Sequence, residues 1–140
     1  MIQLDKFQFE QIEQAARAAY PAECCGLLVG KRTAETVTLS RIVPSVNLLA
    51  DQGNDRFEID PQIRINLERE LRGSDDSIVG HYHSHPDHPA QPSETDLEQA
   101  FEPDLIWLIV SVRDDEATDV KAHMIDPATG TFVEISCQVK

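Results

Sequence analysis

Along the chain, apolar positions first recur at steps of three and four. Phe9, Ile12, Ala16 and Ala19 share one face of a helix that runs to about Tyr20, where Pro21 stops it. The period then changes. Cys24 to Val29 is a short apolar run between Pro21 and Gly30, the pattern of a buried strand. Thr36 to Val46 alternates and is rich in β-branched residues, which predicts a second strand. Leu48 to Arg56 carries Asp51, Gly53, Asn54 and Asp55 and reads as a loop, with Phe57 to Ile59 as a short strand after it. Asp60 then caps, and Pro61 opens, a second helix with the apolar stripe Ile63, Leu67 and Leu71, ended by Gly73.

Ser77 to His85 predicts a strand that runs into a group of histidines. Pro86, Pro89 and Pro92 hold the following loop extended, and Ser93 caps a third helix reaching to about Phe101. Leu105 to Val112 is almost wholly apolar, the pattern of the most buried strand of the chain. Val120 to Ile125 and Thr131 to Val139 close the chain as a hairpin around Pro127 to Gly130. This order of elements predicts an α/β or α+β fold with a single mixed β-sheet flanked by helices. Neither repeats nor a domain boundary interrupts it, so residues 1–140 are expected to form one domain.

Composition narrows the function classes. The formal net charge is -13, and the 12 basic residues are scattered. Nucleic acid is not expected as a partner, because binding it relies on Lys and Arg neutralising phosphates. No run reaches the about 18 apolar residues of a membrane span. The segment Met1-Ile2-Gln3-Leu4-Asp5-Lys6-Phe7 lacks the pattern of a signal peptide, so a cytoplasmic location is expected. Cys24, Cys25 and Cys137 are odd in number and form no Cys-x-x-Cys pair, which argues against disulfides and against a thiolate zinc site. All three are expected to be reduced and at least partly buried.

The chemistry gathers in His81-Tyr82-His83-Ser84-His85-Pro86 and the residues after it, which hold four of the five histidines. In a strand, side chains two apart point to the same face, so His83 and His85 can converge on one point, and His81 can do so from one pleat back. The next helix carries Asp96 in its first turn. Two imidazoles and a carboxylate leave one position of a tetrahedral zinc open for water, as a catalytic zinc requires. Plainer roles compete. Asp96 is placed to complement the helix dipole, and Ser93 to cap the helix. Local spacing also leaves open which pair of histidines is used, whether His88 joins them, and which of 25 acids is the base.

The segment resembles the JAMM (MPN-plus, Mov34/MPN/PAD-1) metalloprotease motif: His-x-His, ten residues, then Asp, with Ser three before the Asp and a Glu far upstream. Here these are His83-Ser84-His85, the ten residues Pro86 to Thr95, Asp96 and Ser93. Gly80-His81-Tyr82-His83-Ser84-His85-Pro86 matches the family's approach to the motif. Pro21-Ala22-Glu23-Cys24-Cys25-Gly26-Leu27-Leu28-Val29-Gly30 is similar to its Glu-bearing segment, and Phe57-Glu58-Ile59-Asp60-Pro61 to the entry of its middle helix. The resemblance implies a JAMM/MPN architecture, cytidine-deaminase-like, with about one Zn2+ per chain held by His83, His85 and Asp96. It implies Glu23 as the proton shuttle and Ser93 as the hydrogen-bond donor to the oxyanion. It leaves His81 behind the site or on the surface, His88 in the Pro-rich loop beside it, and His123 in packing or on the surface. Cys24 and Cys25 are expected to pack in the core.

The compact chain is most similar to stand-alone bacterial members of that family. The resemblance therefore implies a peptidase or isopeptidase acting after the C-terminal Gly-Gly of a ubiquitin-like sulfur-carrier protein, in cysteine, thiamine or related sulfur metabolism. Two other classes compete: a non-catalytic MPN scaffold, which typically lacks the metal ligands, and a non-haem iron enzyme with a two-His, one-carboxylate site, in which Glu23 has no role. No His-Glu-x-x-His is present, nor the His-x-Glu with Pro-Cys-x-x-Cys of zinc deaminases.

Overall fold

Eight strands form one sheet in the order β7-β6-β5-β4-β2-β3-β1-β8. The computed structural model describes residues 1–114 and 116–140. The strands are β1 (Ile2–Leu4), β2 (Cys25–Arg32), β3 (Val37–Ser45), β4 (Ser77–Pro86), β5 (Ile106–Arg113), β6 (Glu116–Asp126), β7 (Thr131–Ile135) and β8 (Cys137–Val139). Helices α1 (Lys6–Ala19), α2 (Pro61–Glu70) and α3 (Glu94–Glu98) accompany them. The sheet is mixed: β1 runs parallel to β3 and β8, and β4 parallel to β5, while the other pairs are antiparallel. Its two edge strands, β7 and β8, are separated in sequence only by Ser136. The sheet must therefore curl until its edges meet, and Ile2 N–H donates to the Ser136 carbonyl at 2.9 Å where they do.

Helix α1 lies on one face of this curl. Asp5 caps it, and the Asp5 and Gln8 side chains bond reciprocally to each other's backbone N–H. Its buried Ile12 and Ala16 join Leu28, Tyr82, Leu108 and Val110 in the main core. Alternation along β2 sends Leu27 and Val29 to the opposite face, where they meet Leu67 of α2 in a smaller cluster. The helix starts of α2 and α3 follow the cap residues expected from sequence: Asp60 accepts from Gln62 N–H, and Ser93 from Asp96 N–H.

Several boundaries differ from the sequence expectation. β1 carries no periodic signal in three residues, and forms because it lies between β3 and β8. The expected strand from Thr131 to Val139 is two strands at opposite sheet edges. The third helix ends at Glu98 instead of Phe101, and the strand expected from Val120 begins at Glu116. Phe57 to Ile59 is no strand, since only an isolated bridge between Asn47 and Ile59 forms there.

Candidate metal centre

A bulge in β4 sets the face on which the histidines appear. Leu28 pairs with Gly80 but Val29 pairs with Ile78, so Val79 is an extra residue on the β4 side. The alternation changes phase there. Val79 enters the main core, as does Tyr82, while Ile78 packs in the α2-side cluster. His81, His83 and His85, two apart, share the face opposite Tyr82.

His83 is fully buried, and its ring stacks on Phe57 at 4.3 Å and 17°. His85 is buried beside it. The loop after β4 turns through Asp87, whose left-handed φ of 61° is held by two bonds. Its N–H donates to the Val112 carbonyl at 2.7 Å, and its carboxylate accepts from the Tyr20 hydroxyl at 2.8 and 2.9 Å. The loop thereby returns over His85, and the Pro89 carbonyl lies 3.0 Å from His85 Nδ1. A carbonyl only accepts, so Nδ1 carries the proton and Nε2 presents a lone pair.

Helix α3 brings in the carboxylate. In its capping box Ser93 Oγ accepts from Asp96 N–H at 3.0 Å, and Asp96 Oδ2 accepts from Ser93 N–H at 2.9 Å. The same Oδ2 lies 3.3 Å from His83 Nε2 and 3.1 Å from His85 Nε2, and the two Nε2 atoms are 3.0 Å apart. The competing plain roles of Ser93 and Asp96 are thus real and compatible with the site: the cap itself aims Oδ2 at both imidazoles.

These three atoms fit a cation. One shared proton cannot satisfy two imidazole nitrogens and a carboxylate oxygen crowded this closely. Burial holds His83 below the usual histidine range and therefore neutral, which makes its contact with Asp96 no ordinary ion pair. Burial pushes the Asp96 carboxyl up, but hydrogen bonding, first to His83, outweighs this and holds it below the usual carboxylate range.

The antiparallel register pairs Cys25 with His83, which brings Glu23, two residues before Cys25, toward the His85 end of β4. Glu23, His83 and His85 can each place a ligand atom within 4.8 Å of the others. Two carboxylates therefore compete for the ligand role. Asp96 is the closer, at 3.3 Å or less from both Nε2 atoms. Glu23 Oε1 is buried with no hydrogen-bond partner. Burial, followed by the charges of Asp96 and Asp55, pushes its carboxyl up to about 9. A cation held by its neighbours would draw that value down again. Glu23, His85 and Ser93 border a cavity of about 340 Å³, whose wall includes Asp55, His88 and Gln91.

The remaining candidates separate from this group. The His81 ring stands 6.3 Å from His83 and packs edge-on to Trp107 at 4.2 Å. Burial lowers its pKa to about 3, so it is neutral, and with Phe57 and Trp107 it borders a different cavity. His123 is buried on β6, and its Nε2–H donates to the Ala90 carbonyl at 3.0 Å, tying down the loop above the site. Cys24 and Cys25 are buried and Cys137 partly so, and all three are free thiols. Burial pushes Cys24 up to about 11 and Cys25 up to about 12, so neither offers a thiolate at neutral pH. Sequence reasoning gave no role to Phe57 against His83 or to Asp55 in the cavity wall. Both lie on an aperiodic loop, where no pattern announces which side chain turns inward.

Comparison with known proteins gives a consistent picture. Residues 6–126 match the family model of prokaryotic homologues of the JAB domain. Desampylase of Haloferax volcanii is 38% identical over 91 residues, 65% of this chain and 63% of that protein, so the chain matches less than two thirds of that relative's length. CysO-cysteine peptidase of Mycobacterium tuberculosis is 31% identical over 110 residues, 79% of this chain and 73% of that protein. Among solved structures, a protein from Desulfitobacterium hafniense superposes with a TM-score of 0.85 at 34% identity, covering 100% of this chain and 93% of that one. A JAB1/MPN domain protein from Archaeoglobus fulgidus has the same fold, with a TM-score of 0.61 at 18% identity over 100% and 97% of the two chains.

Proposed function

Because the chain belongs to the family of prokaryotic homologues of the JAB domain, we propose that it is a zinc-dependent peptidase or isopeptidase that hydrolyses the amide bond after the C-terminal Gly-Gly of a ubiquitin-like, sulfur-carrier protein. The observation that carries this reading is the meeting of His83 Nε2, His85 Nε2 and Asp96 Oδ2 within 3.3 Å, beside the buried, unpartnered Oε1 of Glu23. His83, His85 and Asp96 hold the ion, which supplies a Lewis acid and a water acidic enough to ionise near neutral pH.

The chain's own groups do the rest. Glu23 accepts the proton of the attacking water at its carboxylate and passes it to the leaving amine. Ser93 has committed its oxygen lone pair to Asp96 N–H, which leaves its O–H free to donate to the oxygen of the attacked carbonyl. Pro89 and Phe57 fix the tautomer of His85 and the ring plane of His83.

The depth of the site supports a tail as substrate. Glu23, His83, His85 and Asp96 are each at most 6% exposed. A folded surface cannot reach them, whereas an extended Gly-Gly tail, with no side chains to obstruct it, can. One relative is named a peptidase, CysO-cysteine peptidase, and another a desampylase, which supports a hydrolytic reading. Incubating the zinc-loaded protein with carrier proteins extended beyond Gly-Gly, and weighing the products, tests the reading. Products ending at Gly-Gly are expected. Carriers that all remain intact would overturn it.

A further inference from the structure

The peptide unit that joins Glu23 to Cys24 precedes β2, yet neither of its polar groups is left open. Asn47 Nδ2–H donates to the Glu23 carbonyl at 3.0 Å. Cys24 N–H donates to Ser84 Oγ at 2.8 Å, wholly inside the protein. One peptide is thus gripped at both ends by side chains from two other segments. Ser84 also donates its own backbone N–H to the Cys24 carbonyl at 3.1 Å, so the two chains lock in register.

Both gripping residues are themselves fixed. Asn47 uses its whole amide: Nδ2 also donates to the Arg56 carbonyl at 3.1 Å, and Oδ1 accepts from Leu49 N–H at 2.9 Å and Glu58 N–H at 3.0 Å. Ser84 is completely buried and stands between His83 and His85 on β4. The carboxylate of Glu23, by contrast, has a buried oxygen with no partner. Among the described residues nothing bonds this buried oxygen, so the position of the side chain is set from the backbone.

We infer that Asn47 and Ser84 are positioning residues, which clamp the Glu23–Cys24 peptide and so aim the Glu23 carboxylate at the site occupied by the reacting water. The inference rests on the proposed hydrolase reading for its catalytic consequence. The clamp itself is a claim about hydrogen bonds and can be read without turnover. A shift of about 1 Å in a catalytic group costs on the order of 100-fold in rate. A buried peptide N–H deprived of its acceptor also opens more readily.

The test compares Asn47→Ala and Ser84→Ala, each alone and combined with Glu23→Gln, in the full chain. Ser84→Ala leaves the bonds of Asn47 to Arg56, Leu49 and Glu58 in place, so it remains informative if Asn47→Ala loosens that loop. Amide hydrogen exchange in the metal-free protein is expected to show Cys24 losing about tenfold or more of its protection in both variants, with β5 amides unchanged. Zinc affinity, measured by chelator competition, should stay within about threefold of the parent. With a Gly-Gly-extended carrier, kcat should fall about 10- to 100-fold while KM holds. In the Glu23→Gln background the same substitutions should cost less than about threefold, since the group they aim is gone. Unchanged Cys24 protection in Asn47→Ala, or a full loss of rate that persists without Glu23, overturns the clamp, as does loss of zinc. A parent protein that cleaves no carrier overturns the hydrolase reading instead, while the exchange result still decides whether the clamp exists.

Discussion

The two faces of the curled sheet are built on opposite principles from the same strands. The α1 face is apolar and closely filled, with Leu28, Leu108 and Val110 completely buried against the helix. The other face has a small cluster of Leu27, Val29 and Leu67, and beyond it buried polar groups: Glu23, His83, His85 and Asp96. Tyr82 and His83 are neighbours in sequence and lie on different faces. One face therefore supplies stability by removing apolar surface from water. The other holds groups that are costly to bury, and keeps them because they face one another. The division implies that stability and chemistry are separable by substitution, and four expectations test it.

The largest effect should come from the donor cluster. His83→Ala and His85→Ala are each expected to lose bound zinc and with it all turnover, while His81→Ala, whose ring packs on Trp107, keeps the metal. Metal analysis of the purified variants decides this. Zinc lost from His81→Ala and kept in His85→Ala would move the site one pleat along β4.

Glu23→Gln comes next. It keeps size and some hydrogen bonding but accepts no proton, so turnover should fall roughly 100- to 10,000-fold with zinc still bound. Single-turnover rates alongside metal content separate the base from a ligand, because a ligand would take the zinc with it.

On the α1 face the same scale of change should appear in stability instead. Leu108 is fully buried, and Leu108→Ala should lower unfolding free energy by about 2–5 kcal/mol. Urea titration measures this. Zinc stoichiometry should not move, and a variant that lost metal before it lost stability would mean the faces are coupled.

The smallest effect on the fold should follow removal of the metal itself. A chain of this size buries a core of its own, and the apolar face contains no donor to the site. Chelation is expected to leave far-UV circular dichroism unchanged while turnover stops. Global unfolding would make the metal structural.

Much of this arrangement was legible in the chain. The helix stripe Phe9, Ile12, Ala16 and Ala19 lies where α1 forms, and Ile106 to Val112 is as buried as its composition predicted. Local geometry, alternation in a strand and a capped first turn, put the β4 histidines and Asp96 forward as candidates, and the choice of His83 and His85 among them came only from the resemblance. Illegible were β1, which exists only between two distant strands, and the break at Ser136. So was the phase change at Val79: simple alternation puts Val79 on the histidine face, and the bulge sends it to the core.

By itself the sequence determined what depends on near neighbours: the element types, the caps at Asp60 and Ser93, the apolar strands, and which residues carry donor atoms. Only the tertiary structure decided which donors meet. The β2–β4 register carries Glu23 across to His85, Pro89 chooses the tautomer of His85, and Phe57 swings from an aperiodic loop onto His83. The physical reason is that local periodicity fixes the direction of a side chain within its element. Register, bulges and chain closure fix where that element lies, and they depend on partners far away in the chain.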